Sequence, residues 1–376
     1  MKRRFIPFVW AFMLLMLILL PPLQAAAAEG DTETETSSEV LLNEFNGTIL
    51  DFDESRIIWK EVGDKVLWLY NRTDGSQVKI YDAAGSDDFI GNAKLSAEGI
   101  VFASVNASTG HVIYYWKDGE VRQLVAGQSL HAVKGNFAVF TNGVVDLTTG
   151  QSRSLPNSHF VNTNRFDLSA DGTVVYVDRT YRSNLYKSLP DGTLTMLVPP
   201  AGYLSYGGPL TDGKNIIYKV LIWTSIGQKW VVRLRDADDK ITTLALNPFY
   251  SFFTNPRRDY QINNGWITYQ EYNKEKDNWI LYVRSPEGET KPIFETPSQT
   301  WKQSWYARDG LSINQLGADG SVVYTVYTRS ITNTKTYLYS TQANQHVRVS
   351  SDPGEFHYRN SAWYRLTSNS LFAIQI

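Results

Sequence analysis

A chain of 376 residues that is 43% hydrophobic can bury a substantial core. With no cysteine it must do so without disulfides, thiolate chemistry or a cysteine-bound metal. Its formal charge is −2, and an acidic balance argues against general nucleic-acid binding, which needs a basic footprint.

Lys2, Arg3 and Arg4 precede an uncharged run over residues 5–20 that ends at Pro21 and Pro22, and Ala26, Ala27 and Ala28 follow before Glu29. This is the layout of a cleaved secretory signal over residues 1–28, whose loss takes the formal charge from −2 to −5. The apolar run is short for a membrane span, no cysteine follows it to carry a lipid, and no later segment approaches spanning length. A secreted protein, extracellular or in the cell envelope, is therefore expected. Residues 29–38, EGDTETETSS, read as a disordered acidic leader.

From residue 39 onward one pattern recurs. A turn rich in Asp, Asn and Gly leads into a short apolar strand: DESRIIW (53–59), AEGIVF (97–102), KGNFAVF (134–140), ADGTVVY (170–176), TDGKNIIY (211–218), NNGWITY (263–269), ADGSVVY (318–324) and TSNSLFAI (367–374). Equivalent turn residues are spaced 36 to 55 residues apart, the range of four-stranded propeller blades. Each of the first seven turns is followed by two more strand-like runs, such as VLWLYN and QVKIYD, separated by hairpin signals such as Asp74-Gly75 and Asp191-Gly192. Val174-Val175-Tyr176 and Ile216-Ile217-Tyr218 are apolar on both strand faces, as a strand sandwiched between neighbouring sheets must be. The pattern predicts an all-β propeller over 39–376. The leftover run VLLNEF (40–45) would complete a C-terminal strand pair and close the ring. That arrangement gives eight blades, or seven if the leftover pieces share one blade.

The turns LSADGTVVYV (168–177) and LGADGSVVYT (316–325) resemble the TolB-type β-propeller repeat, with Ala in place of its Pro. The resemblance implies the fold and carries no catalytic residues with it, because propellers serve many tasks.

In such a fold the turns from first to second and third to fourth strands lie on one face, here short and Asp/Gly-rich. The opposite face collects long junctions rich in rings: 199–210, 247–261, 296–310 and 351–366. Their rings and cations predict a ligand site made of Tyr206, Phe253, Arg257, Arg258, Tyr260, Trp301, Trp305, Arg308, Tyr358 and Arg359. Aromatic rings stack on sugars or peptide side chains, and guanidiniums hold carboxylates in bidentate fashion. The same rings could instead plug gaps between blades. The expected partner is an extracellular glycan or an extended peptide of a cell-surface protein, bound by a monomer.

Two other readings stay open. Tyr260 or His357, with Arg257, Arg258 or Arg359, would suffice chemically for a lyase or hydrolase of an acidic polysaccharide. An envelope protein–protein scaffold needs no such site. No G-x-S-x-G elbow occurs, and the five histidines (111, 131, 159, 346, 357) show no metal-ligand spacing. Neither Asp51 with Asp53 nor Asp236 with Asp238 and Asp239 follows a calcium loop, so no metal or cofactor is expected.

Overall fold

The computed structural model describes residues 37–375, apart from 84–86, 109, 157, 159–164, 179–183, 198–202, 226, 247–255, 297–309, 328–333 and 350–353. The described strands form eight antiparallel sheets of four strands each, so the protein is an eight-bladed β-propeller. Blades 1 to 7 span residues 47–82, 89–126, 130–154, 166–196, 203–245, 260–295 and 310–349, each running from its inner to its outer strand in chain order. The described helical structure is 3-10 only: the turn Pro256–Arg258 and Arg165. No described helix is long and apolar enough to cross a membrane.

Blade 8 is a composite. Glu355–Arg359, Ala362–Leu366 and Ser370–Gln375 supply three strands, and Ser38–Glu44 adds the outer one. The outer strand thus starts at the last residue read as leader. The closure differs in one respect from the sequence reading, which gave the C-terminus only a strand pair. TSNSLFAI carries the turn from second to third strand, whereas the first turn of blade 8 is made by Asn360 and Ser361. That hairpin lacks the Asp-Gly pair that marks its counterparts, so the next Ser/Asn-rich turn stood in for it.

Among the described residues, eight apolar clusters each join one pair of neighbouring blades. Second strands serve two clusters at once. Val174 and Tyr176 face blade 3, whereas Val175 and Val177 face blade 5. The final cluster joins Ile49, Phe52 and Trp59 of blade 1 to Leu366 and Leu371 of blade 8, closing the ring.

Polar side chains on the inner strands and, for Asp212, in a first turn tie one blade to the next. Asp51 Oδ2 accepts the Leu95 amide at 3.0 Å, Asp167 Oδ2 that of Thr211 at 2.8 Å, Asp212 Oδ2 that of Gly265 at 2.9 Å, and Gln261 Oε1 that of Leu316 at 2.8 Å. These bonds give edge amides near the centre a partner that the blade's own ladder cannot supply.

Candidate functional site

Antiparallel order places the loops from second to third strands, and those between blades, at one end of the propeller. On this loop face blade 5 stands out. Its second and third strands, Ile216–Thr224 and Gly227–Arg235, are nine residues each and pair without a bulge over their whole length. Strict alternation then fixes which way each side chain points. Ile217 packs with Tyr260 and Ile267 of blade 6, and Lys219 forms an ion pair with Asp259 at the start of blade 6. Trp223 lies on the same side, four residues further along. At about 3.3 Å per residue it stands about 13 Å beyond Lys219 towards the hairpin tip. It is 56% exposed.

Directly before Asp259, blade 6 is entered through the 3-10 turn Pro256–Arg258. Gln261 Nε2 donates to the Arg257 carbonyl at 2.7 Å, and Gln270 Nε2 donates to the Arg258 carbonyl at 3.3 Å and to Asp259 Oδ1 at 3.1 Å. Arg257 reaches past blade 5 to Asp167 on the inner strand of blade 4, yet its side chain remains 53% exposed. Arg258 is exposed as well. Two side-chain amides thus hold the backbone of the turn, and Asp167 holds the Arg257 guanidinium. Such pinning lowers the entropy lost when a ligand docks.

Apart from Arg257 and Arg258, the residues predicted from sequence divide into three groups. Tyr206 and Tyr260 are core residues, 3% and 0% exposed, and offer no ring face to a ligand. Tyr206 sits edge-on to Tyr218 with centroids 5.3 Å apart, and the Tyr260 hydroxyl donates to the Gly208 carbonyl at 2.5 Å. The stretch around Tyr206 is an inner strand, Tyr203–Thr211, whose register slips between Gly207 and Leu210. Its Gly-Gly-Pro made it resemble a junction. Phe253, Trp301, Trp305 and Arg308 lie outside the described residues. Tyr358 and Arg359 sit in the first hairpin of blade 8, at the end opposite Arg257 and Arg258, so a single cleft uniting these arginines does not form. Trp223 was missed because it reads as one apolar residue in a continuous strand, and only hairpin length exposes it.

Acid–base candidates fare poorly. Burial pushes the Tyr260 phenol well above its ordinary value, which leaves it protonated and unable to act as a base at neutral pH. His357, on the inner strand of blade 8, is pushed down to about 4 by burial, with Arg359 and Lys94 adding to the effect. Burial also lowers His131, whose Nε2 lies 3.3 Å from Thr141 Oγ1. His159 lies outside the described residues, and His111 and His346 belong to the third and outer strands of their blades. Among the described residues no three His, Asp or Glu side chains gather as a metal cluster. Asp51 and Asp53 accept backbone amides, and Asp236 closes its own turn.

No protein-family model matches the sequence, and no curated protein matches it. Solved structures do. The dipeptidyl peptidase 4 of Porphyromonas gingivalis superposes with a TM-score of 0.56 at 11% identity, over 89% of this chain and 58% of the peptidase. An oligogalacturonate lyase in complex with manganese gives 0.46 at 13% identity, over 93% of this chain and 95% of the lyase. The β-propeller domain of the Trilobed protease from Pyrococcus furiosus gives 0.39 at 10% identity, over 74% and 77%. The likeness is one of fold. This chain spans little more than half the length of the peptidase, and at 11% identity nothing about its site follows from that match.

Proposed function

We propose that this propeller is a secreted binding module whose ligand is an extended extracellular glycan bearing carboxylates. The observation that carries the reading is the exposed Trp223 on the blade 5 hairpin, on the strand side whose Lys219 pairs with Asp259, the residue that follows the pinned Arg257-Arg258 turn of blade 6. An indole face suits the apolar C–H face of a sugar ring, and a guanidinium binds a carboxylate through two parallel hydrogen bonds. Binding is favoured over bond cleavage because Tyr260 is sealed in the core and His357 resists protonation and is largely buried.

Calorimetric titration with oligouronates, matched neutral oligosaccharides and an acidic peptide tests the reading. Oligouronates should bind without new chain ends forming, and Trp223→Ala and Arg258→Ala should each weaken binding about tenfold, the loss expected when a central contact is truncated. Equal affinity for neutral and acidic sugars would remove the role of the arginines. Product formation would restore the lyase reading, and selective binding of the peptide would transfer the site to a protein partner.

A further inference from the structure

At the opposite end of the propeller, the first turns of blades 6, 7 and 8 surround a polar depression of about 560 Å3. Blade 6 contributes Asn263 and Asn264, blade 7 Asp319, and blade 8 Tyr358, Arg359 and Asn360. The loop-face arginines and Trp223 take no part in it.

Two features set this turn cluster apart. In blade 8 the reversal is made by Asn360 and Ser361 at φ +44° and +59°, both left-handed. Every other described non-glycine residue in that region is Asp or Asn, whose side chains tolerate it; Ser361 is the exception. Holding such a residue there costs about 1 kcal/mol or more, and glycine would remove the cost. Strain of this kind is concentrated at ligand sites.

The second feature is how the ring is held. Tyr358 packs edge-on against Trp363 with centroids 5.0 Å apart, and Trp363 Nε1 donates to Ser321 Oγ at 3.2 Å. A Cβ at Gly317 would lie 3.2 Å from one edge atom of the Tyr358 ring and 2.5 Å from Asp319 Oδ1. The ring is thereby clamped between the blade 7 turn and its own sheet.

We propose that this depression is a second binding site, for a neutral pyranose such as the terminal ring of a glycan. Three primary amides line the depression. Asn263 and Asn264 each spend one N–H on a backbone carbonyl, of Leu316 at 3.0 Å and of Ala318 at 3.5 Å, and keep a second N–H and an amide oxygen for sugar hydroxyls, which also donate and accept. Asp319, held through Oδ1 by the Ser321 amide at 2.9 Å, is a fixed acceptor, and the exposed Arg359 adds donors of opposite charge, so the walls favour no ionic ligand. The side of the Tyr358 ring supplies an apolar surface for sugar C–H groups. The site is shallow, and a dissociation constant in the millimolar range is expected for a single ring.

Saturation-transfer NMR on the whole chain with glucose, galactose, mannose and N-acetylglucosamine tests this. At least one should bind in the millimolar range, with about tenfold loss in both Arg359→Ala and Asn360→Gly and no change in Trp223→Ala. Asn360→Gly keeps the left-handed turn accessible, so a retained melting temperature separates lost contacts from lost fold. The proposal is overturned if none of the four sugars binds, if binding survives both variants, or if only Trp223→Ala abolishes it. Preference for galacturonate over galactose at this site would overturn its neutrality. None of these outcomes bears on the oligouronate site, which is read from Trp223 and Arg258.

Discussion

The imidazole of His357 is enclosed between blades 8 and 1, its ring edge-on to Phe52 at 5.1 Å. Its buried Nε2 has no hydrogen-bond partner among the described residues, and the nearest acid oxygen, Glu355 Oε2, is 3.7 Å away on a largely exposed side chain. That oxygen is too distant and too hydrated to hold a proton on the ring. With the folded value near 4 and the ordinary value 6.5, the unfolded chain binds a proton in this window that the folded chain refuses. The contribution to stability is complete above about pH 6.5 and is lost as the pH falls towards 4, by up to about 3 kcal/mol. Urea midpoints should therefore drop across this interval, and His357→Phe should flatten the drop. An unchanged slope in the variant would assign the acid sensitivity to other groups. Sequence spacing placed this histidine ahead of a strand at a rim; its position inside the inner strand, and hence its burial, depended on the blade 8 hairpin that the spacing missed.

The repeated turn is more than a reversal of the chain. Gly172, at φ +88°, lies beneath Phe137 of blade 3, where a Cβ would come within 2.6 Å of the ring. Gly320, at φ +83°, lies beneath Trp266 of blade 6, with 2.4 Å available. Each turn is therefore also a blade-to-blade contact. Gly192, in an outer hairpin at φ +90°, has nothing within 4 Å. Gly320→Ala should destabilise the protein by about 2–4 kcal/mol, from backbone strain and overpacking together, and Gly192→Ala by only about 1 kcal/mol. Thermal unfolding of the two variants checks this, and equal losses would reduce the turn to its backbone role. Asp-Gly signals were legible in the sequence because they are local. Strand register was less so: slips in five inner pairs, as between Ile49 and Asp51, and in five outer pairs, as between Leu67 and Trp68, interrupt the period of two.

The ring is closed by one strand from the other end of the chain. Ser38–Glu44 pairs antiparallel with Ser370–Gln375. Across this seam Glu39 accepts two hydrogen bonds from Arg365 Nε, at 2.8 and 3.0 Å, and one from Nη2 at 2.5 Å. Arg365 is nearly fully buried and also lies over the Phe372 ring at 4.4 Å. Glu39→Ala would strand that charge and should cost about 3–5 kcal/mol. The double change Glu39→Leu with Arg365→Met should recover most of it, as buried pairs replaced by apolar groups often do. Denaturant titration of the single and double variants measures the difference. A single variant as stable as the parent would show that the strand pairing alone holds the seam.

The propeller fold, its closure by an N-terminal outer strand and the sandwiched second strands were determined by the sequence itself, which left seven or eight blades open. They rest on local chemistry, in turn residues that require left-handed backbone and on apolar runs that must be covered on both faces. Which rings meet solvent was decided only by the tertiary structure. Tyr260 and Trp223 are both aromatic residues of strands in adjoining blades, yet one is sealed under Leu210 and Ile217 while the other rides above the sheet on an extended hairpin. Exposure depends on how far each strand outruns its neighbours, and that length difference exists only once the blades are packed side by side.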